Sequence, residues 1–169
     1  MALINARSAC NKLFTLRDFF KNHHLDFLFL TETWFKNKDN VTVNKLCPAA
    51  CNIINAPRMS GRTGGGLAAV FSNRFACRPV VTDHFNTFET LLLKIGSSNP
   101  LFILLCYRPP PGSKSEFLTE FSEFLSSIVM KVDSLVLAGD FNFHVDNPSD
   151  NFANEFINIT QSLNLTQHN

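Results

Sequence analysis

The sequence of 169 residues has 15 basic and 14 acidic residues, a formal net charge of +1, so no overall basic excess indicates nucleic-acid binding. Hydrophobic residues make up 45% of the chain, which argues against intrinsic disorder and favours one globular domain over residues 1–169. No apolar run approaches the roughly 18–20 residues of a membrane span, so we expect no membrane partner.

The cysteines and arginines are scattered along the chain. The five cysteines include no Cys-x-x-Cys pair, which argues against a zinc site and is typical of buried thiols in an intracellular protein. A local basic face stays open as an alternative, because five arginines fall in or near predicted loops: Arg58, Arg62, Arg74, Arg78 and Arg108.

The N-terminal quarter of the chain predicts a strand, a helix and a second strand. Leu3–Ile4 is typical of the end of a strand, and Ser8 is a candidate cap for a helix over residues 9–23. The apolar positions of that helix repeat at helical spacing, at Leu13, Leu16 and Phe20. Leu25–Leu30 has the pattern of a buried strand, and it continues into Thr31-Glu32-Thr33-Trp34 and a loop with Lys36, Lys38 and Asp39.

The middle of the chain is rich in strand patterns separated by turn residues. Five strands are predicted, at Cys51–Ala56, Leu67–Ser72, Arg78–Val81, Phe88–Ile95 and Leu101–Tyr107. Residues 58–66 predict a flexible turn in a hairpin, since no Gly-Lys-Ser/Thr follows the three glycines to indicate a nucleotide-binding loop. Residues 96–100 suit a hairpin loop between the last two of these strands.

The last third of the chain predicts a helix, a strand and a helix. Ser113 and Glu116 match the capping-box pattern. The helix behind them has one apolar face, at Phe117, Phe121, Phe124, Leu125 and Ile128. A short buried strand over residues 135–138 follows. The final helix begins near Pro148-Ser149-Asp150, with an apolar face at Phe152, Phe156, Ile159 and Leu163.

Polar side chains follow the ends of predicted strands at Asn5, Glu32, Tyr107 and the pair Asp140 and Asn142. Because the pair is spaced by two, an extended backbone would point both side chains to the same side. Oxygen donors of this kind suit Mg²⁺, and an Asp near such an ion can orient or deprotonate a water. An Asn and a phenol can hold phosphate oxygens. Turn formation alone is the alternative explanation of the pair.

Six short motifs contain these polar residues or lie between them. They are Asn5-Ala6-Arg7-Ser8, Leu28-Phe29-Leu30-Thr31-Glu32-Thr33-Trp34, Gly65-Gly66-Leu67, Phe88-Glu89, Tyr107-Arg108-Pro109-Pro110 and Gly139-Asp140-Phe141-Asn142. Their order resembles that of the endonuclease/exonuclease/phosphatase superfamily. Thr-Glu-Thr-Trp, Tyr-Arg-Pro-Pro and Gly-Asp-Phe-Asn most resemble the endonuclease domain of LINE-type non-LTR retrotransposons, which is related to the apurinic endonucleases. The resemblance covers nearly the whole chain.

This resemblance implies an α/β fold, a four-layer α/β sandwich of the DNase I-like type, and cleavage of a phosphodiester with Mg²⁺ or Mn²⁺. It implies that Asn5 and Glu32 lie at the metal, and that Tyr107 contacts the phosphate. It also implies that Asp140 and Asn142 prepare the attacking water and steady the phosphate. DNA is the implied substrate, a reverse transcriptase domain of the parent polyprotein the implied partner, and the nucleus the implied location.

One missing motif sets this sequence apart from the family pattern, and one histidine has no assigned role. The family closes its site with a later Asp and a Ser-Asp-His motif, and no Ser-Asp-His occurs here. We therefore expect a domain incomplete at both ends, without its C-terminal strands, and weak or inactive as it stands. A non-catalytic remnant with residual metal or nucleic-acid binding is the alternative, and a sugar- or lipid-phosphate substrate is a third, less favoured reading. His144 recurs in the retrotransposon branch, and a structural polar contact is one explanation for it.

Overall fold

The computed structural model describes residues 1–36, 40–58, 64–143, 147 and 149–167. Over these residues the chain forms eight strands and four helices. In chain order they are β1 (Ala2–Asn5), α1 (Leu13–Asn22), β2 (Phe27–Thr31), α2 (Asn40–Leu46), β3 (Cys51–Ala56), β4 (Leu67–Ser72), β5 (Cys77–Val80), β6 (Glu89–Ile95), β7 (Leu101–Tyr107), α3 (Lys114–Val129), β8 (Leu135–Asp140) and α4 (Asn151–Ser162). Several predicted features lie outside the described residues: Lys38, Asp39, residues 59–63, His144 and Pro148.

The described strands form two mixed sheets, with orders β1-β2-β4-β3 and β5-β6-β7-β8. Each sheet has one parallel pair, β1 with β2 and β7 with β8, beside antiparallel neighbours. The parallel registers pair Asn5 with Thr31 and Tyr107 with Asp140. The polar residues at these strand ends therefore lie side by side at one edge of each sheet.

Three apolar layers join the elements into a sandwich. Helices α1 and α2 cover the outer face of the first sheet, and α3 and α4 cover the outer face of the second. The inner faces of the two sheets pack against each other through side chains such as Phe29, Leu67, Leu93 and Leu105. Burial of these faces is the dominant stabilising contribution. The predicted four-layer α/β sandwich is confirmed.

Helix α3 matches its prediction closely. The Ser113 side chain accepts the backbone N–H of Glu116 at 3.2 Å, which satisfies one of the unpaired donors of the first turn. The five apolar positions predicted for this helix are all buried. Their rings continue into the loop after β8, where Phe141 lies 5.6 Å from Phe121 and 4.5 Å from Phe156 between ring centroids. The aromatic core therefore anchors the segment that follows Asp140.

We expect Ser113→Ala to lower the free energy of unfolding by about 1 kcal/mol, because the N–H of Glu116 loses its acceptor. Urea denaturation followed by circular dichroism measures this change. Ser122→Ala, in the interior of the same helix, is the matched control and should cause no loss, since Ala has the higher helix propensity. Equal midpoints for Ser113→Ala and the unsubstituted chain would contradict the capping role.

The predicted start of α1 is wrong. The helix begins at Leu13 and not at residue 9, and its cap position is Lys12, with no side-chain cap bond. Ser8 has a φ of 75°, and its N–H donates to the carbonyl of Glu32 at 2.9 Å. The segment before α1 is therefore paired with the loop after β2, and this long-range pairing competes with helix formation. The predicted apolar face of Leu13, Leu16 and Phe20 is buried as expected.

Two further helix predictions need correction. Helix α2 was not predicted, since the sequence analysis described only a loop between Trp34 and the strand at Cys51. Three successive β-branched residues from Val41 have low helix propensity. Burial of Val43 and Leu46 beside α1 selects the helix. In α4, Phe152 is 37% exposed, whereas Ala153 and Phe156 are buried.

The burial of the cysteines agrees only in part with the prediction of buried thiols. Cys106 is buried and Cys10 is exposed; the other three cysteines are partly buried. Burial raises the pKa of the Cys77 thiol to about 11. Arg58 and Arg74 lie at opposite ends of the first sheet, since Arg58 follows β3 and Arg74 follows the antiparallel β4, so one basic face does not include both. No described helix is both long and apolar enough to cross a membrane.

Candidate active site

Four of the predicted site residues meet where the two sheets come together. The side-chain amide of Asn5 donates to Glu32 Oε1 at 2.8 Å and to Asp140 Oδ2 at 2.7 Å. The hydroxyl of Tyr107 donates to the same Glu32 Oε1 at 2.9 Å. These residues belong to β1, the loop after β2, β7 and β8, so both sheets contribute. One connected polar cluster therefore spans residues that are up to 135 positions apart.

The backbone around Glu32 is held in an uncommon conformation. Glu32 has a φ of 52° and Trp34 a φ of 58°, in the left-handed region that non-glycine residues rarely adopt. Such residues cost about 1–3 kcal/mol each and cluster at functional sites. Backbone hydrogen bonds from two sides hold the segment in place: Ser8 N–H donates to the Glu32 carbonyl, and Thr33 N–H donates to the Gly66 carbonyl at 3.2 Å. The carboxylate is thus presented by a backbone that its neighbours fix on both sides.

Glu89 is a supporting residue that the sequence analysis quoted only as part of a motif. Its carboxylate accepts the N–H of Gly66 at 2.6 Å and the Nε–H of Arg58 at 2.5 Å. A side chain at Gly65 would displace the ion pair of Arg58 and Glu89, because its Cβ would lie 2.4 Å from Glu89 Oε1 and 2.5 Å from Arg58 Nε. The glycine turn predicted between β3 and β4 is therefore more than a connection. The segment from Gly64 to Gly66 holds the loop after β2 against the start of β6.

Asn142 donates two hydrogen bonds in this structure, one from its backbone and one from its side chain. Its φ of 53° shows that the chain is not extended there, so the predicted same-side geometry with Asp140 is wrong. The Asn142 N–H donates to Asp140 Oδ1 at 3.3 Å, and its side-chain amide donates to the carbonyl of Arg108 at 2.7 Å. Asn142 therefore fixes the Asp140 carboxylate and ties the loop after β8 to the loop after β7.

Arg108 is a second supporting residue that the sequence analysis did not assign to the site. Arg108 is 2% exposed, and its guanidinium lies over the rings of Phe117 and Phe143, at 5.6 and 5.0 Å from their centroids. It donates to the carbonyls of Gly112 and Phe141 at 3.4 and 3.5 Å. Burial lowers the pKa of this guanidinium. The side chain therefore joins the two loops that flank Asp140.

Tyr107 stays protonated beside the Glu32 carboxylate. Burial, and next the hydrogen bond to Glu32, raise the pKa of its phenol well above the usual value near 10. The proton needed for the bond to Glu32 is thereby retained throughout the neutral range. Tyr107 can accordingly orient a carboxylate or a phosphate as a neutral donor.

The phenol titration can be measured directly, because Tyr107 is the one tyrosine of the sequence. We expect absorbance at 295 nm to show phenolate at a clearly higher pH in the folded chain than in urea. Because the folded pKa is raised, the stability that Tyr107 contributes is complete below pH about 10 and is lost as pH rises through the folded pKa. Tyr107→Phe should abolish the absorbance change. The same midpoint in buffer and in urea would contradict the buried hydrogen bond.

The donor set of the cluster fits a hard divalent cation. It offers the carboxylates of Glu32 and Asp140, joined through the Asn5 amide, and Mg²⁺ is commonly held by one or two carboxylates with substrate phosphates and water. The described residues contain no group of three or more His, Cys, Asp and Glu that could hold a metal alone. The Asn5 amide presents its nitrogen to both carboxylates, while its oxygen accepts the Arg7 N–H at 3.1 Å. Direct ligation by Asn5 stays a prediction.

An open groove of about 1050 Å³ borders the cluster beside Glu89 and Arg58. Its walls come from the segment between β5 and β6, including His84 and Asn86, and from the loop after β7, including Pro109. Because Glu89 is the register partner of Tyr107, the groove lies next to the polar cluster. The surface therefore has room for a ligand that extends away from the four converging residues.

Comparison with known proteins gives one family and one fold. The model of the Endonuclease/Exonuclease/phosphatase family matches residues 3–162. The structure resembles the endonuclease domain of TRAS1, a telomere-specific non-LTR retrotransposon, with a TM-score of 0.68 at 12% identity over 95% of this chain and 68% of that one. No curated protein matches the sequence.

Two further solved structures share the fold. The AP endonuclease LMAP from Leishmania major has a TM-score of 0.71 at 14% identity, over 96% of this chain and 66% of that one. The 3' phosphatase NExo from Neisseria, bound to a product DNA hairpin, has a TM-score of 0.64 at 14% identity, over 96% and 69%. The chain thus spans about two thirds of the length of these structures.

Proposed function

Because the chain belongs to the endonuclease/exonuclease/phosphatase family, we propose that it is a phosphodiester hydrolase that cuts one strand of DNA with Mg²⁺ or Mn²⁺. The observation that supports this most strongly is the contact of Asn5 with both Glu32 and Asp140, which joins two carboxylates from different sheets. Two carboxylates held this close, with no lysine or arginine of the described residues in an ion pair with either, favour a cation as the third member of the site.

The chain's own residues divide the work of hydrolysis in this proposal. Glu32, with Asn5, would hold the divalent ion, which supplies positive charge to offset the phosphate and its developing charge. Asp140 orients the attacking water and accepts a proton from it. The Asn5 amide and the Asn142 N–H donate to the two oxygens of the Asp140 carboxylate and hold it in place. The single O–H of Tyr107, which donates to Glu32 in this structure, would turn to a bound phosphate as a neutral donor, and Asn142 would steady that phosphate.

Three observations favour DNA within the phosphodiester class. The Thr-Glu-Thr-Trp, Tyr-Arg-Pro-Pro and Gly-Asp-Phe-Asn motifs resemble those of LINE-type endonucleases, and the fold is similar to that of the TRAS1 domain. The groove beside Glu89 accommodates an extended ligand. On this basis we propose that the chain nicks genomic DNA in the nucleus, beside a reverse transcriptase domain of its parent polyprotein.

A non-catalytic role is the second candidate. No Ser-Asp-His occurs in the 169 residues, whereas the family uses that motif to bind metal and the scissile phosphate. A chain without this motif would keep the fold and bind a metal or nucleic acid without turnover. For the same reason, the cleavage that we propose for this chain is slow.

Nicking of supercoiled plasmid under single-turnover conditions, with protein in excess, tests the proposal. We expect slow conversion to open circles with Mg²⁺ or Mn²⁺ and none with EDTA. A preparation that binds DNA but leaves the plasmid supercoiled with either ion would overturn the hydrolase and support the non-catalytic role. Release of phosphate from sugar or lipid phosphates, with the plasmid intact, would move the substrate to another class.

A further inference from the structure

We propose that the indole of Trp34 is a stacking platform for an unpaired base next to the scissile phosphate. The inference rests on the proposed function, since it assigns the substrate of that site an unstacked nucleotide. Trp34 follows Glu32 by two residues in the same loop and is the one tryptophan of the sequence. Nothing in the polar cluster itself requires an aromatic residue there.

The position of Trp34 is fixed by its backbone. Its N–H donates to the carbonyl of Gly65 at 2.9 Å, and the preceding Thr33 N–H donates to the carbonyl of Gly66. The indole lies beside Gly64, where an added Cβ would be 3.5 Å from Nε1 and 3.8 Å from Cε2. The glycine segment therefore positions the ring, and it is itself held by Glu89 through Gly66. A ring placed in this way is preorganised for a planar ligand.

Core packing does not explain the ring. Trp34 is 47% exposed, although its two neighbours along the chain, Thr33 and Phe35, are both buried. Its φ of 58° is unfavourable for a bulky residue, and a solvated loop would relax it. An exposed aromatic side chain that the fold keeps in an unfavourable conformation beside a candidate active site indicates a binding role.

The surroundings favour a nucleobase over other planar ligands. Two exposed cationic residues lie in the segments that carry Trp34 and Asn5: Lys36 follows Trp34 by two residues, and the N–H of Arg7 donates to Asn5 Oδ1. Aromatic platforms combined with cations that follow the backbone are the usual means of binding single-stranded nucleic acid. The adjacent carboxylate cluster would take the phosphate of the same nucleotide through its bound cation.

Fluorescence tests this assignment, because all tryptophan emission comes from Trp34. The protein is titrated with Mg²⁺ present, at times short compared with the slow cleavage, with a single-stranded oligonucleotide and with a tetrahydrofuran oligonucleotide that has the same phosphates and no bases. We expect the oligonucleotide with bases to quench the emission and the base-free one to leave it unchanged. Binding is followed in parallel by fluorescence anisotropy of a labelled oligonucleotide.

Variants separate stacking from a structural role. By anisotropy, Trp34→Ala should weaken oligonucleotide binding by about 5- to 100-fold, and Trp34→Phe should retain most of the affinity. Phe14→Ala, which removes an exposed ring from α1, should bind like the unsubstituted chain. Circular dichroism melting confirms that each variant folds.

The outcomes distinguish this inference from the function on which it rests. Anisotropy that reports binding without quenching, together with full affinity in Trp34→Ala, would overturn the stacking role and leave DNA as substrate. Equal quenching by both oligonucleotides would also overturn it, since bases would then be unnecessary. If the unsubstituted chain binds neither oligonucleotide nor plasmid, the proposed function fails as well.

Discussion

Glu32→Gln and Asp140→Asn should each lower the single-turnover rate of plasmid nicking by about 10²–10³-fold, the range for loss of one electrostatic group from such a site. Gln keeps the shape of the Glu32 side chain and removes the charge that would attract a divalent ion. Asn at position 140 removes the group that takes a proton from water. Both substitutions keep the side-chain size, so the sandwich should remain folded.

The control for these two variants removes a carboxylate that lies outside the site. Glu155→Gln removes an exposed carboxylate from α4 and should leave nicking unchanged. The double variant should be little worse than the poorer single one, because groups that act as one unit are not additive. Nicking at the original rate in either single variant would exclude that carboxylate from the site. Additive losses would show that the two carboxylates act independently.

The largest stability effect is expected for Phe117→Ala, about 3–5 kcal/mol in the free energy of unfolding. Phe117 is fully buried, and its ring lies 5.2 Å from that of Phe121 and 5.6 Å from that of Phe88. The guanidinium of Arg108 also lies over it, so the cavity would loosen the contact between the loops beside Asp140. Urea denaturation at several temperatures measures the change.

Phe14→Ala is the matched control, since Phe14 is 60% exposed on α1 and an exposed substitution changes stability by about 0.5 kcal/mol or less. A loss below about 1 kcal/mol for Phe117→Ala would contradict the packing of α3 on the second sheet. A nicking rate that falls further than the unfolded fraction explains would show that packing around Phe117 positions the loops beside Asp140.

Local sequence patterns predicted the strands best. The predicted bounds of β3, β4 and β7 match those of the structure, and β3 and β7 end shortly before Pro57 and Pro109. The cap and buried face of α3 followed from Ser113 and the spacing of its phenylalanines. These features depend on interactions within one segment, and the sequence of that segment contains them.

Long-range contacts explain the errors. Ser8 pairs with the loop after β2, and α2 is selected by burial of Val43 and Leu46, so neither followed from local propensity. The φ of Asn142 depends on the Arg108 carbonyl, which is 34 residues away. Local patterns place polar residues at strand ends, and only the register between strands decides which ends meet.

The candidate site was likewise predicted only in part from the sequence. The motif resemblance identified Asn5, Glu32, Tyr107 and Asp140, and the structure places their side chains in one hydrogen-bonded cluster. The supporting residues were missed, because Glu89 acts by holding Gly66. Arg108, the other supporting residue, acts by joining two loops. The signal for Glu89 is Gly65, where an added Cβ would meet the Glu89 carboxylate. This proximity is visible only in the structure.

Anomalous diffraction from crystals grown with Mn²⁺ tests the central claim most directly. The claim is that Asn5, Glu32 and Asp140 form one divalent-cation site between the two sheets, and it does not depend on the rate of cleavage. We predict one strong anomalous peak within coordination distance of the Glu32 carboxylate, and its loss in Glu32→Gln. A peak elsewhere, or an empty cluster at Mn²⁺ concentrations that support nicking, would contradict the account.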